Sequence, residues 1–194
     1  MGKRDGVRGL MPRVTLHMTT SPHTADLRKL SSTELEQLGQ QSLREHLVAQ
    51  AIVAHQKHGP LTADKLDALL HAPDCLRHPV RLVFEFGEMA MHQFAQPDID
   101  WRNTEQDGRV LYVRPLLRER PDLLPLAVAY MIPLLNYGDI IADDHCLLYG
   151  ATLLGMMESE FYEKLCVLSD TVGAETRLAS EQTASACATR AAIN

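Results

Sequence analysis

Two long apolar segments dominate the pattern of hydrophobic positions along this chain, and they lie close together. One covers Leu123 to Leu135 and the other covers His145 to Met157, and each is 13 residues long. A helix that crosses a membrane needs about 20 apolar residues, so both segments are too short for that role. Because helices that are apolar on most sides lie inside a fold, the pattern predicts a buried hairpin of two helices.

The residues between the two segments indicate a chain reversal. Asn136 and Gly138 both tolerate the left-handed conformation that ends a helix, and Asp139 is a suitable N-cap residue for the next helix. Pro133 lies inside the first segment, where a missing hydrogen bond predicts a kink. We therefore expect a central helical hairpin over about residues 121–168.

The second helix of this hairpin is predicted to run without a break from Asp139 or Ile140 to about Leu168. This segment contains two glycines, Gly150 and Gly155. Since glycine has no side chain to hold a neighbour away, both positions are expected to permit close contact with another helix.

Capping residues mark another helix near the beginning of the chain. Ser31 and Glu34 have the spacing of a capping box, in which each side chain binds a backbone N–H group of the first turn. The helix is expected to extend to about His58, because Gly59 and Pro60 form a stop signal. A short helix follows, from Thr62 to the region of His71.

The segment that begins at Pro79 is predicted to be a third amphipathic helix. Proline is favoured at the first helical position, and apolar residues then recur at about 100° per residue. They form one continuous face. Its residues are Val80, Val83, Phe84, Gly87, Ala90, Met91 and Phe94.

The next 25 residues give weaker signals. Gln96 to Gly108 is polar and contains the only tryptophan, Trp101, which is expected either to fill a gap in the core or to lie at a binding surface. Arg109 to Arg120 mixes strand-like and helix-like composition, and we interpret it as a short helix broken by proline. Tyr112 in that segment is, with Trp101, a candidate for contacts with a partner.

Composition supports a helical class. Hydrophobic residues make up 45% of the chain but aromatic residues only 5%, and leucine, alanine and methionine are plentiful. Helices favour this mixture, whereas strands favour β-branched and aromatic residues. The sequence predicts an all-α, single-domain helical bundle over residues 31–172, with a flexible arm at 1–30 and a flexible tail at 173–194.

The charge distribution bears on partners and compartment. The net charge is −6; residues 1–30 hold six basic and two acidic residues, so they carry +4 and the remainder carries −10. Nucleic-acid binding relies on clustered Lys and Arg, so an acidic folded part argues against DNA or RNA as a partner. The four cysteines form no C-x-x-C pair and no secretory signal is evident, which favours a reduced, cytoplasmic protein.

Histidines and one cysteine cluster around the short second helix. His71, Cys75 and His78 are all zinc-ligand types, but a structural zinc site needs four ligands. The fourth would have to come from His55 or His58, whose i,i+3 spacing also allows them to share an ion. For those two histidines the sequence favours stabilisation of the helix end over metal binding, and for the linker it favours a solvated loop.

A second metal hypothesis rests on carboxylates. Along the predicted third helix, Glu85, Glu88 and His92 form a stripe opposite the apolar face, and Asp139 and Asp143 form another at the start of the hairpin's second helix. In helical bundles, carboxylates and histidines from facing helices hold metal ions. Hard carboxylate ligands with one imidazole suit iron or manganese better than zinc.

No P-loop, dinucleotide fingerprint or recognisable nucleophile motif is present, so the sequence does not decide whether the protein is an enzyme. It favours a non-catalytic interaction or regulatory module that forms a homodimer or binds a protein partner. The alternative is a metal-binding helical bundle with carboxylate and histidine ligands, in which the metal could have a redox role.

Overall fold

Five helices and three strands make up the part of the chain that the structure describes. This computed structural model describes residues 29–98 and 108–191, and the side chains of the last helix as far as Arg177. The order along the chain is α1 (Ser32–His58), α2 (Leu66–Leu70), β1 (Val80–Phe84), β2 (Ala95–Pro97), β3 (Arg109–Val113), α3 (Leu124–Tyr137), α4 (Asp143–Leu154) and α5 (Glu158–Ala191). Short 3₁₀ turns occur at Ala63–Lys65, Pro115–Glu119 and Gly138–Ile140.

The chain divides into two compact units, residues 1–38 and 39–194. In the first unit, the expected capping box is present: the Ser31 N–H donates to the Glu34 carboxylate at 2.8 Å, and the Glu34 N–H donates to the Ser31 hydroxyl at 3.3 Å. The predicted arm at 1–30 falls almost wholly outside the described residues. The second unit contains the rest of α1 and all the other helices and strands.

The two apolar segments form two consecutive helices, α3 and α4, that pack against each other. Most residues of α3 are buried, including Pro133, which lies inside the helix. The helix ends at Gly138, whose φ is 62°, while Asn136 remains helical. Tyr137 is its last residue, so the reversal begins where the sequence placed it.

The all-α prediction is wrong, because the second unit contains a three-stranded mixed sheet in the order β1-β3-β2. Strands β1 and β3 pair in parallel, with Val80 opposite Arg109 and Phe84 opposite Val113. Strand β2 pairs antiparallel to β3, with Ala95 opposite Val113. The protein is therefore mostly helical with a small sheet.

The predicted third helix does not form. Its first residues are β1, and Gly87 then takes a φ of +52°, a conformation that ends regular structure. The sequence Val80-Arg-Leu-Val-Phe84 is short and rich in β-branched and aromatic residues, which fit a pleated surface. Its partner strand lies more than 20 residues away along the chain, and helical periodicity in a short apolar run does not reveal such pairing.

The predicted short helix over Arg109–Arg120 does not form either. Its first half is β3, in which Leu111 and Val113 are buried, and its second half is the 3₁₀ turn Pro115–Glu119. Proline at 115 ends the strand, because it cannot donate a backbone hydrogen bond.

The second helix of the hairpin is shorter than predicted. It ends at Leu154, and Gly155 caps it with a left-handed φ of 68°. A new helix, α5, begins at Glu158 and continues to Ala191, through the segment predicted to be a flexible tail. Among the described residues, none of the helices is long and apolar enough to cross a membrane.

Candidate metal site

The carboxylate and histidine stripe expected on a third helix lies instead on the connection between β1 and β2. Glu85, Glu88 and His92 are all exposed there. Because this connection is not helical, the spacing that aligned the three side chains on one face no longer applies.

The two aspartates predicted to face this stripe are exposed at the start of α4. The Tyr130 hydroxyl donates a hydrogen bond to Asp143 Oδ1 at 3.0 Å. Asp139 lies in the 3₁₀ turn before the helix. In the described part of the chain, these five residues form no group of three ligand atoms close enough to share an ion.

Of the two residues predicted to contact a partner, Trp101 lies outside the described residues. Tyr112 lies in β3 and is half-buried. Its ring lies close to Gly87, so part of its surface is covered within the chain.

A different set of side chains, from two separate segments, meets at the end of α1. His58 is the last residue of that helix, and Asp74 and Cys75 lie in the loop that follows α2. One ligand atom from each of the three residues lies within 4.8 Å of the other two. We call His58, Asp74 and Cys75 the HDC cluster. Across the described residues, it is the only group of this kind.

Helix α3 fixes the loop that carries Asp74 and Cys75. The buried side chain of Asn136 donates from Nδ2 to the Cys75 carbonyl at 2.8 Å and accepts the Arg77 N–H at 3.0 Å. The guanidinium of Arg77 also lies 4.3 Å from the centre of the Tyr137 ring. These contacts hold Cys75 in position without using its thiol.

Two atoms of the HDC cluster are buried and have no hydrogen-bond partner among the described residues. They are His58 Nε2 and Asp74 Oδ2, and they lie 3.7 Å apart. An unpaired buried polar atom costs about 1–3 kcal/mol, so such atoms usually have a role. Nitrogen and oxygen ligands bound to zinc at about 2.0–2.2 Å lie roughly 3.3–3.6 Å from one another in a tetrahedron, so the observed 3.7 Å is slightly wider than that spacing.

Lys57 orients the aspartate. Its ammonium group donates to Asp74 Oδ1 at 2.8 Å, so the second oxygen, Oδ2, faces His58. This hydrogen bond is the largest of the effects that lower the pKa of Asp74. The carboxylate is therefore ionised at neutral pH, and its Oδ2 atom accepts no hydrogen bond from the described residues.

The thiol of Cys75 lies on the buried side of the cluster, with only 3% of the residue exposed. Burial, followed by the negative charge of Asp74, raises the pKa of Cys75 to about 11. A thiol with this pKa is protonated at neutral pH and is a poor nucleophile. The arrangement therefore does not favour a cysteine–histidine catalytic pair, whereas a bound cation would stabilise the thiolate directly.

The other histidines near this region have separate contacts. His55 Nδ1 lies 2.9 Å from the Leu153 carbonyl, and His71 Nδ1 lies 2.8 Å from the Asp67 carbonyl. His78 is exposed. Of the three linker residues proposed as zinc ligands, only Cys75 belongs to the cluster. Of the two histidines proposed as a fourth ligand, only His58 belongs to it.

The sequence pattern did not indicate Asp74 as a ligand. The candidate ligands of this linker were its two histidines and its cysteine, although Asp74 lies directly before Cys75. The signal was the adjacent pair Asp74-Cys75 within reach of a helix that ends in histidine. Comparison of the chain with family models, curated proteins and solved structures finds no match, so the geometry alone supports a function.

Proposed function

We propose that this chain is a metal-binding protein that holds one divalent ion in the HDC cluster. The observation that supports this most strongly is the pair of buried, unpaired atoms, His58 Nε2 and Asp74 Oδ2, beside the Cys75 thiol. A cation bound by all three side chains would satisfy both atoms. It would also balance the charge of the carboxylate and of the thiolate that forms on binding.

The donor set favours zinc. One thiolate, one imidazole and one carboxylate are all common zinc ligands, and thiolate is a soft ligand that iron and manganese oxygen sites lack. The expectation of iron or manganese belonged to a different set of ligands, in which four of the five were carboxylates.

Three protein ligands leave one position of a tetrahedral ion open. This coordination differs from closed structural sites and matches sites in which a water molecule or a small ligand occupies the fourth position. His58 and Asp74 keep 15% and 26% of their side-chain surface accessible, although the ligand atoms Nε2 and Oδ2 are themselves buried, so the site lies just below the protein surface.

A binding experiment with Co²⁺ tests this function. Cobalt replaces zinc in such sites, and a cysteine ligand gives an intense near-ultraviolet charge-transfer band. We expect one Co²⁺ per chain, displaced by one Zn²⁺. His58→Ala and Cys75→Ala should each weaken binding by at least about 100-fold, since each removes a direct ligand.

His71→Ala is the matched control, because His71 is an exposed histidine near the cluster whose side chain binds only within its own helix turn in the described structure. It should leave the affinity unchanged. Absence of the cysteine charge-transfer band, or equal effects of His58→Ala and His71→Ala, would reject the site.

A second candidate function is the interaction module favoured by composition. Its support is a set of large apolar side chains that are exposed on helices of the second unit. On α1 these are Ile52 and Val53, with 43% and 52% exposed, and on α5 they are Tyr162 and Val167, with 56% and 59% exposed. Ile52 and Val53 are adjacent in α1, and neighbouring exposed apolar groups on a protein surface often mark contacts.

Light scattering tests this candidate by measuring molar mass against concentration. If α1 carries a dimer contact, the double variant Ile52→Lys, Val53→Lys should dissociate the dimer. Gln56→Lys, an exposed change on the same helix, should not. A monomeric mass at all concentrations would exclude self-association as the function of this surface.

A further inference from the structure

Strand β1 lies at an edge of the sheet and pairs, among the described strands, with β3 on one side only. The Arg109 N–H of β3 donates to the Pro79 carbonyl, and the backbone groups of successive strand residues point to opposite sides within a sheet. The N–H and C=O groups of Val80, Leu82 and Phe84 therefore point away from β3. In the described part of the chain, no backbone hydrogen bond from outside the sheet reaches them. An open edge of this kind is a template for a further strand.

A groove of about 750 Å³ lies beside this open edge, and both β1 and α2 line it. Its apolar walls include Leu66 and Leu70 of α2, Leu82 and Phe84 of β1, and Leu124 of α3. Leu82 and Phe84 are only half-buried. A groove along an edge strand suits an extended segment, whose main chain pairs with the strand while alternate side chains fill the groove.

The charges around β1 indicate what that segment is. The strand contains one charged residue, Arg81, and Glu85 directly follows it. Both side chains are exposed, and neither forms an ion pair with a described residue. Arg81 lies two residues before Val83 and Glu85 lies two residues after it. If two copies of β1 pair antiparallel about Val83, Arg81 of each copy lies opposite Glu85 of the other, and opposite charges in such positions are attractive.

We propose that β1 is a self-association surface, on which a second copy of this chain adds its own β1 in antiparallel orientation about Val83. This register places Leu82 of each copy opposite Phe84 of the other, and each such pair exchanges both backbone hydrogen bonds through its outward-facing groups. The Leu82 and Phe84 side chains of the second copy then enter the groove beside α2. An Arg81–Glu85 ion pair on each side of the symmetry axis fixes the register.

The resulting contact is symmetric, because the same surface of each copy is used, and it removes the exposed edge of both sheets. Val83 of one copy lies beside Val83 of the other, so the centre of the pairing is apolar and its two ends are charged. The contact does not involve the HDC cluster, so it stands or fails independently of metal binding.

Charge reversal at the two ends of β1 tests this pairing, with molar mass measured by sedimentation equilibrium. Arg81→Glu places two carboxylates opposite each other, and Glu85→Arg places two guanidinium groups opposite each other. Each variant alone should weaken dimerisation by at least about 10-fold, because like charges then lie directly across the strand pair. An equimolar mixture of the two variants should form a heterodimer about as tightly as the unmodified protein dimerises, since both cross-strand pairs again have opposite charges.

Asp170→Arg is the matched control, because it reverses the charge of an exposed residue on α5, away from the sheet, and changes the net charge as Glu85→Arg does. It should leave dimerisation unchanged. A monomeric mass of the unmodified protein at all concentrations rejects the pairing, and the groove then fits an extended segment of another protein. Single variants that stay dimeric, or that dissociate and form no heterodimer on mixing, also reject it. Dissociation by Ile52→Lys, Val53→Lys alone would assign the contact to α1 instead of β1.

Discussion

At the scale of single residues, Asn136 connects the central hairpin to the loop that carries the HDC cluster. Its amide donates to one backbone group of that loop and accepts from another, two residues further along. A buried amide with both ends used in this way fixes the loop in one position. The asparagine was expected to end α3, but this tertiary contact is what its side chain provides.

Asn136→Ala should therefore lower the free energy of unfolding by about 1–3 kcal/mol, because it leaves the Cys75 carbonyl and the Arg77 N–H without partners. Urea denaturation measures this. Asn136→Asp is the control variant: its carboxylate can still accept from Arg77 but cannot donate to Cys75. A loss below about 0.5 kcal/mol for the alanine variant would show that the loop does not depend on this side chain.

At the scale of elements, glycines set how closely the helices approach one another. A Cβ atom on Gly150 of α4 would lie 2.4 Å from the Phe161 ring of α5, and one on Gly155 would lie 2.8 Å from the His55 ring of α1. The expectation that both glycines permit close contact is thus confirmed. Phe161 is fully buried, so its ring has little freedom to move away.

Gly150→Ala should destabilise the protein by about 1–3 kcal/mol through overpacking against Phe161. The matched control is Gly173→Ala in α5, where an added Cβ meets nothing within 4 Å. That variant should be neutral or stabilising by up to about 1 kcal/mol, since alanine is the better helix former. Thermal unfolding of both variants checks the prediction, and losses of equal size would contradict it.

At the scale of the whole molecule, the parallel pairing of β1 with β3 joins distant parts of the second unit. The pairing begins where the Arg109 N–H donates to the Pro79 carbonyl at 2.8 Å. Gly108 makes this approach possible: its φ is +74°, and a Cβ there would lie 2.6 Å from the same carbonyl oxygen. Formation of the sheet therefore depends on one glycine directly before β3.

Gly108→Ala should destabilise the protein more than Gly138→Ala. Gly138 also has a positive φ, of +62°, with a ψ of −139°, but an added Cβ meets nothing within 4 Å, so Gly138→Ala measures the backbone strain alone, at about 1–3 kcal/mol. Hydrogen exchange should show faster exchange in β1 and β3 of Gly108→Ala, with the amides of α3 affected less. Equal effects of the two substitutions would mean that the contact with Pro79 is unimportant.

The sequence by itself determined the elements whose signals are local. The capping box at Ser31, the glycine after His58 and the two apolar segments each identify a helix end or a buried helix within a few residues. Such signals act between neighbours in the chain, so they hold in almost any fold that buries the apolar faces.

Only the tertiary structure decided the sheet and the candidate site. Val80–Phe84 is a strand because β3 supplies hydrogen-bond partners from a distant part of the chain, and that pairing outweighs a local pattern that also suits a helix. The HDC cluster forms for the same kind of reason. His58 comes from the end of one helix and Cys75 from a loop held by Asn136 of another, and no spacing along the chain encodes their meeting.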